Sequence, residues 1–121
     1  MKFIDSDTNF PISSAVVHSG RIFEAVVTGI PDGASKPVPG GAAAEMREAF
    51  RQLDLLLAEA GVDRKAICTA RLYLHNVIHD VPEVNVVWKE YFGDHPVVRR
   101  CYGVVLQAGM RVEAAFTAEI P

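Results

Sequence analysis

Apolar and polar residues follow two different periods along the first half of the chain. Residues 15–30 hold two valine-rich apolar runs on either side of Ser19-Gly20, a pattern that predicts a β-hairpin. From residue 42 to residue 60 the apolar positions recur with the helical period, and Gly61 follows where a left-handed residue ends many helices. The stretch between them, with three prolines and three glycines, is predicted to be an exposed loop.

The second half of the chain predicts a strand and another helix. Residues 66–74 alternate in polarity, which favours a central strand with Cys68 on its buried face. Asp80 is predicted to cap the second helix, Pro82 to lie in its first turn, and Gly93 to end it.

Asn85 is a polar residue on the apolar side of this second helix. It shares one face with Val81, Trp88 and Phe92, and a buried amide must find hydrogen-bond partners. We therefore interpret Asn85 first as a structural amide that ties the helix to a strand.

The segment 95–116 carries charged residues among its valines and alanines. It is predicted to form a final hairpin, which gives the order ββ-α-β-α-ββ, an α+β layer of helices on one sheet. Strand alternation places Arg99 and Cys101 on one face and Arg100 on the other. In an assumed hairpin register, Arg99, Cys101 and Glu113 line one concavity, where a guanidinium binds a carboxylate and Glu113 handles a proton or water. The alternative is a cross-strand or intersubunit ion pair.

Composition narrows the class of protein. The length of 121 residues predicts a single domain, residues 1–121, and 50% hydrophobic against 22% charged residues favours a homo-oligomer that covers apolar surface. A net charge of -3 disfavours nucleic acid as a partner. With no apolar leader and no membrane span, we expect a cytoplasmic protein, and Cys68 and Cys101 are expected to be buried thiols of a reducing compartment.

Two histidines have a spacing that metal sites use. His75 and His79 are four residues apart, but they lie between a strand and a helix start, with no glutamate placed as in a helical metal motif. We interpret them as solvated loop residues or helix-entry contacts, and we predict no metal.

Several motifs, taken in order, resemble one known family. They are "TGIPDG", "LDLLLAEAGV", "VNVVWKEYFGDHP", "VVRRC" and "VEAAFTAEI", and they span roughly residues 13–119. Together they resemble the Rid family of reactive enamine/imine deaminases, also called YjgF-like or L-PSP proteins. The resemblance implies a chorismate-mutase-like fold of the bacterial type, with two helices on one mostly antiparallel sheet. It also implies a homotrimer with a central barrel and three clefts between subunits.

The resemblance also implies roles for individual residues. Arg99 corresponds to the arginine that binds the substrate carboxylate, and Glu113 to the glutamate associated with water. Cys101 corresponds to a cysteine that offers backbone groups to the site. Thr28, followed by Gly29, stands at the family's hydroxyl residue before glycine.

Three further positions complete the comparison with the family. Asn85 corresponds to the family's helix asparagine. Ser13 stands where typical deaminases carry an aromatic hydroxyl, which implies an altered pocket wall. Between Arg99 and Leu106 this chain has one residue fewer than the family pattern, which leaves Arg100 as the alternative carboxylate ligand. Alignment on Pro96 and Cys101 favours Arg99.

The implied reaction is hydrolysis of a 2-imino acid, the tautomer of an enamine such as 2-aminoacrylate, to a 2-keto acid and ammonia. It needs no cofactor, and its partners are the small imino or keto acid and other copies of the chain. One alternative is a non-catalytic trimer that binds small carboxylates or acts as a regulator. An endoribonuclease or translation inhibitor is a weaker alternative, because the acidic charge balance suits RNA poorly.

Overall fold

The computed structural model describes all residues from 1 to 121 and contains six strands and two α-helices. In chain order these are β1 Lys2–Ser6, β2 Ser13–His18, β3 Ile22–Thr28, α1 Gly41–Glu59, β4 Ile67–Leu74, α2 Val77–Phe92, β5 Val98–Gly103 and β6 Val112–Glu119. A single 3₁₀ turn, Arg64–Ala66, leads into β4. Neither helix combines the length and the apolar character that a membrane crossing requires.

The strands form one sheet in the order β1-β2-β3-β6-β4-β5. Every pair is antiparallel except β4 with β5. Both helices pack on one side, which we call the helix face, and the core lies between them and the sheet. Its fully buried side chains include Phe23, Met46, Leu53, Leu72 and Phe116. The expected α+β architecture, two helices on a mostly antiparallel sheet, is confirmed.

The first hairpin and the first helix form where the sequence predicts them. Ser19 and Gly20 join β2 to β3 with φ of 54° and 72°, the left-handed geometry that tight hairpin turns require. Gly61, with φ of 83°, follows α1. The strand β1 was not predicted, because Ile4 is its one buried residue and leaves almost no periodic signal.

The predicted final hairpin is wrong. β5 pairs in parallel with β4, while β6 lies between β3 and β4, so that β4 separates the two strands expected to be neighbours. A crossover through α2 allows β5 to run parallel to β4. The interior position of β6 suits its sequence, in which Val112, Ala114, Phe116 and Ala118 are buried in alternation.

Two local predictions also need correction. A bulge between Ile67 and Thr69 turns Ile67 into the core and leaves Cys68 exposed, so Cys68 is not a buried thiol. The second helix begins at Val77, and Asp80 lies inside its first turn, with its N–H bonded to the carbonyl of Asn76. Asp80 is therefore no cap.

Candidate functional site

Arg99 lies on the helix face of the sheet. Its β-strand partner is Ala70, which is buried beneath the helices. The Arg99 Nη1 donates a hydrogen bond to Asn85 Oδ1 at 3.0 Å, and its Cζ lies 4.9 Å from the centre of the Trp88 ring. Cys101, two residues on and paired with buried Leu72, faces the same side. Arg99, Cys101 and Asn85 thus form one group at the β5 edge, which we call the arginine group.

Asn85 is exposed, so its prediction as a buried amide is wrong. It does tie α2 to β5, but through the side chain of Arg99. The helical period turns Asn85 to the rim of the apolar face rather than its centre, because Val84 and Val87 take the buried positions.

Glu113 lies on the opposite side of the sheet, which we call the open face because no helix covers it. Its strand partners are Thr28 on β3 and Tyr73 on β4. The side chain lines a concavity of about 330 Å³ that also includes Ser13 and Arg71. Ser13, Thr28 and Glu113 therefore form a second group, the glutamate group.

The expectation that Arg99 and Glu113 share one face is wrong within a protomer, since the sheet itself separates them. Tyr73, rather than Gly103, lies opposite Glu113, and Cys101 has no contact with Ala115 across a hairpin. The physical reason is the insertion of β4, which removes the register on which the shared concavity depended.

The remaining predicted residues have local partners. Ser13 Oγ shares a hydrogen bond of 2.7 Å with Ser6 Oγ, and Thr28 Oγ1 accepts from the N–H of Ile30 at 3.1 Å. Gly29 is buried against α1, where an added Cβ would lie 2.5 Å from the Cβ of Glu45. Gly29 is thus required by the close approach of β3 to α1, whatever its role toward a ligand.

Comparison with known proteins supports the family that the motifs indicate. The family model described as "Endoribonuclease L-PSP" matches residues 6–120. The chain is 34% identical over 104 residues to the 2-iminobutanoate/2-iminopropanoate deaminase of Bos taurus, a match that covers 85% of this chain and 75% of that protein. The chain belongs to the Rid family. The human protein of the same name is 30% identical over 104 residues, with the same coverage.

Solved structures agree in fold. The E. coli TdcF structure with bound serine superposes with a TM-score of 0.85 at 18% identity and covers 100% of both chains. YyfA of Yersinia pestis, described as a protein of unknown function of the conserved Rid family, has a TM-score of 0.84 at 25% identity. That match covers 97% of this chain and 93% of YyfA. The chorismate-mutase-like fold of this Rid protein is thereby confirmed.

The open face of this Rid protein carries two arginines without ion-pair partners. Arg71 on β4 and Arg100 on β5 are side by side in register and line a concavity of about 500 Å³. Tyr73 and Tyr102, two residues further along the same strands, line the same concavity and stack with ring centres 5.6 Å apart. Strand alternation predicts Arg71 and Tyr73 on this side, but only the pairing of β4 with β6 brings them next to Glu113.

A buried polar cluster between the helices and the start of β6 was missed by sequence reasoning. Asp80 is fully buried and lies 3.2 Å from the Nε of Arg111, while Glu45 Oε1 accepts the Arg111 backbone N–H at 2.8 Å. Burial raises the pKa of the Glu45 carboxyl, and the hydrogen bonds from the backbone of Arg111 and Val112 oppose this in part. No periodic pattern predicts such a cluster, because its members come from two helices and from the residue that precedes β6.

His75 and His79, which are four residues apart in sequence, have different hydrogen-bond partners in the structure. His75 Nδ1 accepts the N–H of Leu106 at 2.9 Å, and His79 Nδ1 donates to Asp80 Oδ1 at 2.7 Å. The donor atoms of His79, Asp80 and Glu83 lie within 4.8 Å of one another. Since the guanidinium of Arg111 already lies beside the Asp80 carboxylate, the charge that a cation would supply is present.

Proposed function

We propose that this Rid protein hydrolyses 2-imino acids, the tautomers of enamines such as 2-aminoacrylate, to 2-keto acids and ammonia. The observation that carries the proposal is the hydrogen bonding of the Arg99 guanidinium. Its Nη1 is bonded to Asn85, while its Nε and Nη2 have no protein acceptor and form the edge that binds a carboxylate bidentately. Relatives at 30–34% identity are named 2-iminobutanoate/2-iminopropanoate deaminases, and the substrates in that name are small 2-imino acids.

Binding by Arg99 serves to orient the reacting carbon. A carboxylate held by the guanidinium fork places the adjacent C=N carbon at a defined distance from the β5 edge. Charge-assisted hydrogen bonds of this kind contribute about 1.5–3 kcal/mol. The backbone of Cys101, two residues along β5, is on the same edge and offers further polar groups.

Glu113 joins this site from another subunit in our proposal. Within one protomer the sheet blocks it from Arg99, so a complete site needs the arginine group of one copy and the glutamate group of the next. The open face that carries Glu113 also exposes apolar side chains, which favours its burial against other copies. These exposed residues are Val26, Val98, Tyr102 and Val104. We propose a homotrimer with three such sites around a central barrel.

The proposed reaction consumes one water molecule and involves no redox step. Glu113 accepts a proton from water as the water oxygen attacks the C=N carbon, and it passes that proton to the imine nitrogen, which gives a tetrahedral carbinolamine. Glu113 then takes the hydroxyl proton and delivers it to the amino nitrogen, so that the C–N bond breaks and ammonia leaves as the C=O bond forms. Thr28, the strand partner of Glu113, and Ser13, on the same concavity, place hydroxyl groups near this acid.

One observation favours a second function, the binding of small carboxylates without turnover. The arginine group is complete in a single protomer, whereas Glu113 depends on assembly, and Ser13 supplies a small hydroxyl that is already bonded to Ser6. A protein with this arrangement can retain carboxylate affinity when the hydrolytic half of the site is absent. RNA cleavage has no comparable support, because the net charge is -3 and the basic residues do not form a strip.

A coupled assay tests the proposal directly. Threonine dehydratase or an amino-acid oxidase generates the imine, and the release of ammonia is followed with and without the protein. We expect the wild type to accelerate release, Arg99→Ala to abolish the acceleration, and Arg100→Ala, on the other face of β5, to retain it. A reversal of the two variants would assign the carboxylate to Arg100.

The same proteins distinguish the binding function. If the wild type gives no acceleration while calorimetry detects 2-ketobutyrate binding that Arg99→Ala abolishes, the deaminase proposal is wrong and the binding function stands. If neither acceleration nor binding is detected, both proposals are overturned.

A further inference from the structure

The indole of Trp88 lies against the guanidinium of Arg99, and nothing in the proposed reaction uses it. The Arg99 Cζ is 4.9 Å from the ring centre, within the distance at which a cation is attracted to an aromatic face. Trp88 lies one helical turn after Asn85 on α2, so both contacts to Arg99 come from the same helix face. The guanidinium is therefore held at two points, an amide oxygen and an indole ring.

Trp88 is itself firmly packed. Its ring centre lies 4.9 Å from that of Phe92, 5.7 Å from Phe50 and 5.9 Å from Phe116. Phe50, Phe92 and Phe116 are buried in the core. Because the indole packs against three buried rings, its movement is restricted, and it presents Arg99 with a well-defined surface.

The strand beneath Arg99 leaves room for this arrangement. Ala70 is the β4 partner of Arg99, and its single methyl group lets the long arginine side chain extend toward α2. An arginine at a sheet edge ordinarily samples many rotamers, and ordering it on binding would weaken affinity. Two fixed contacts remove most of that ordering before the ligand binds.

We propose that Trp88 is a positioning residue of the carboxylate site, whose indole holds the Arg99 guanidinium in the orientation that receives a 2-keto or 2-imino acid. This inference rests on the proposed role of Arg99 as the carboxylate ligand. Trp88 acts through Arg99 and does not take part in the proton transfers. Its effect is the same on the ground state and the transition state, since the carboxylate is bound in both.

The kinetic test compares Trp88→Leu, which keeps an apolar side chain but removes the aromatic face, with Trp88→Phe, which restores a face. Phe92→Leu is the matched control, because Phe92 belongs to the same ring cluster and helix, while the cation–π contact of Arg99 is with Trp88. We expect Trp88→Leu to raise KM by about 5- to 30-fold with kcat nearly unchanged. Trp88→Phe should recover most of this loss, and Phe92→Leu, which loosens the packing of the indole but keeps it beside Arg99, should raise KM much less than Trp88→Leu.

A binding measurement separates this inference from the proposed function. Trp88 is the single tryptophan of the chain, so its fluorescence reports directly on the ring beside Arg99. We expect 2-ketobutyrate to change the emission in a saturable way, and Arg99→Ala to abolish the change. By calorimetry, Trp88→Leu should weaken 2-ketobutyrate binding, whereas Phe92→Leu should weaken it much less.

Each outcome has a definite meaning. If the wild type binds 2-ketobutyrate with this dependence on Trp88 but hydrolyses no imine, the proposed function fails and the role of Trp88 stands. If the wild type hydrolyses the imine and Trp88→Leu and Phe92→Leu have equal effects on KM, the role of Trp88 is overturned. Equal losses of 2-ketobutyrate affinity from Trp88→Leu and Phe92→Leu would overturn it as well.

Discussion

Arg99 and Asn85 connect the edge strand to the second helix through one hydrogen bond of 3.0 Å, from Nη1 to Oδ1. The bond orients a guanidinium that keeps its other edge free of protein acceptors. It also makes Asn85, an exposed residue, sensitive to substitution in a way that its surface position alone would not suggest.

Asn85→Ala should raise KM in the imine assay by about three- to tenfold, because the Arg99 side chain loses a hydrogen-bonding anchor. Asn85→Asp should be more harmful than the alanine variant, since its carboxylate competes with that of the substrate for the same guanidinium. The KM values of the two variants check this. Equal effects, or a smaller effect of Asp, would contradict the assignment of Arg99 as the carboxylate ligand.

Mixing two inactive variants tests whether Arg99 and Glu113 meet between subunits. Arg99→Ala and Glu113→Gln chains, unfolded together and refolded in equal amounts, should regain about a quarter of the wild-type activity. A site is complete only where a chain with intact Arg99 meets a chain with intact Glu113. Random assembly gives each of these chains a probability of one half, so a quarter of the sites are complete. The control is a chain that carries both substitutions. Mixed with the Arg99→Ala chain, it should stay inactive at every ratio. No recovery in the refolded mixture would contradict the proposal that the two residues meet between subunits.

Gly29→Ala should destabilise the protein. The new Cβ would lie 2.5 Å from Cβ and Cγ of Glu45 and 2.9 Å from its Cα, so β3 and α1 must move apart. We expect a loss of about 1–3 kcal/mol in the free energy of unfolding, measured by urea denaturation. A change within about 0.5 kcal/mol of the wild type would show that β3 and α1 relax freely.

Glu45 should make the free energy of unfolding of the protein fall as pH rises. Burial raises the pKa of its carboxyl in the folded state, so between the ordinary glutamate pKa and this raised value the folded state binds more protons than the unfolded state. The contribution of the protonated acid is therefore present at low pH and is lost as pH rises through the folded-state pKa.

Glu45→Gln should remove this dependence. Its amide oxygen can still accept the Arg111 N–H, and it carries no charge near Asp80. Urea denaturation between pH 4 and pH 8 should show the variant more stable than the wild type at the upper end and no less stable at the lower end. If the wild type instead becomes more stable relative to Glu45→Gln as pH rises, the folded state favours the ionised carboxylate, and the expected pH dependence is wrong.

Local pattern was sufficient for several elements of the fold. The helical period over α1, the turn at Ser19-Gly20 and the alternation of β4 after its bulge at Cys68 all depend on residues close together in sequence, and each element formed where predicted. The second helix ended at Gly93 as expected, but its start was misplaced because Asp80 serves a buried ion pair with Arg111 rather than a cap. A capping signal is local, whereas the partner of Asp80 is 31 residues away.

The sequence by itself determined which residues alternate along each strand and, through its motifs, which family the chain belongs to. Only the tertiary structure decided which strands are neighbours. The placement of β4 between β5 and β6 puts Arg99 and Glu113 on opposite faces, and no period within either strand contains that information. Strand pairing is set by the burial of distant side chains such as Leu72 and Phe116 against the same helices, so it appears only when the whole core is assembled.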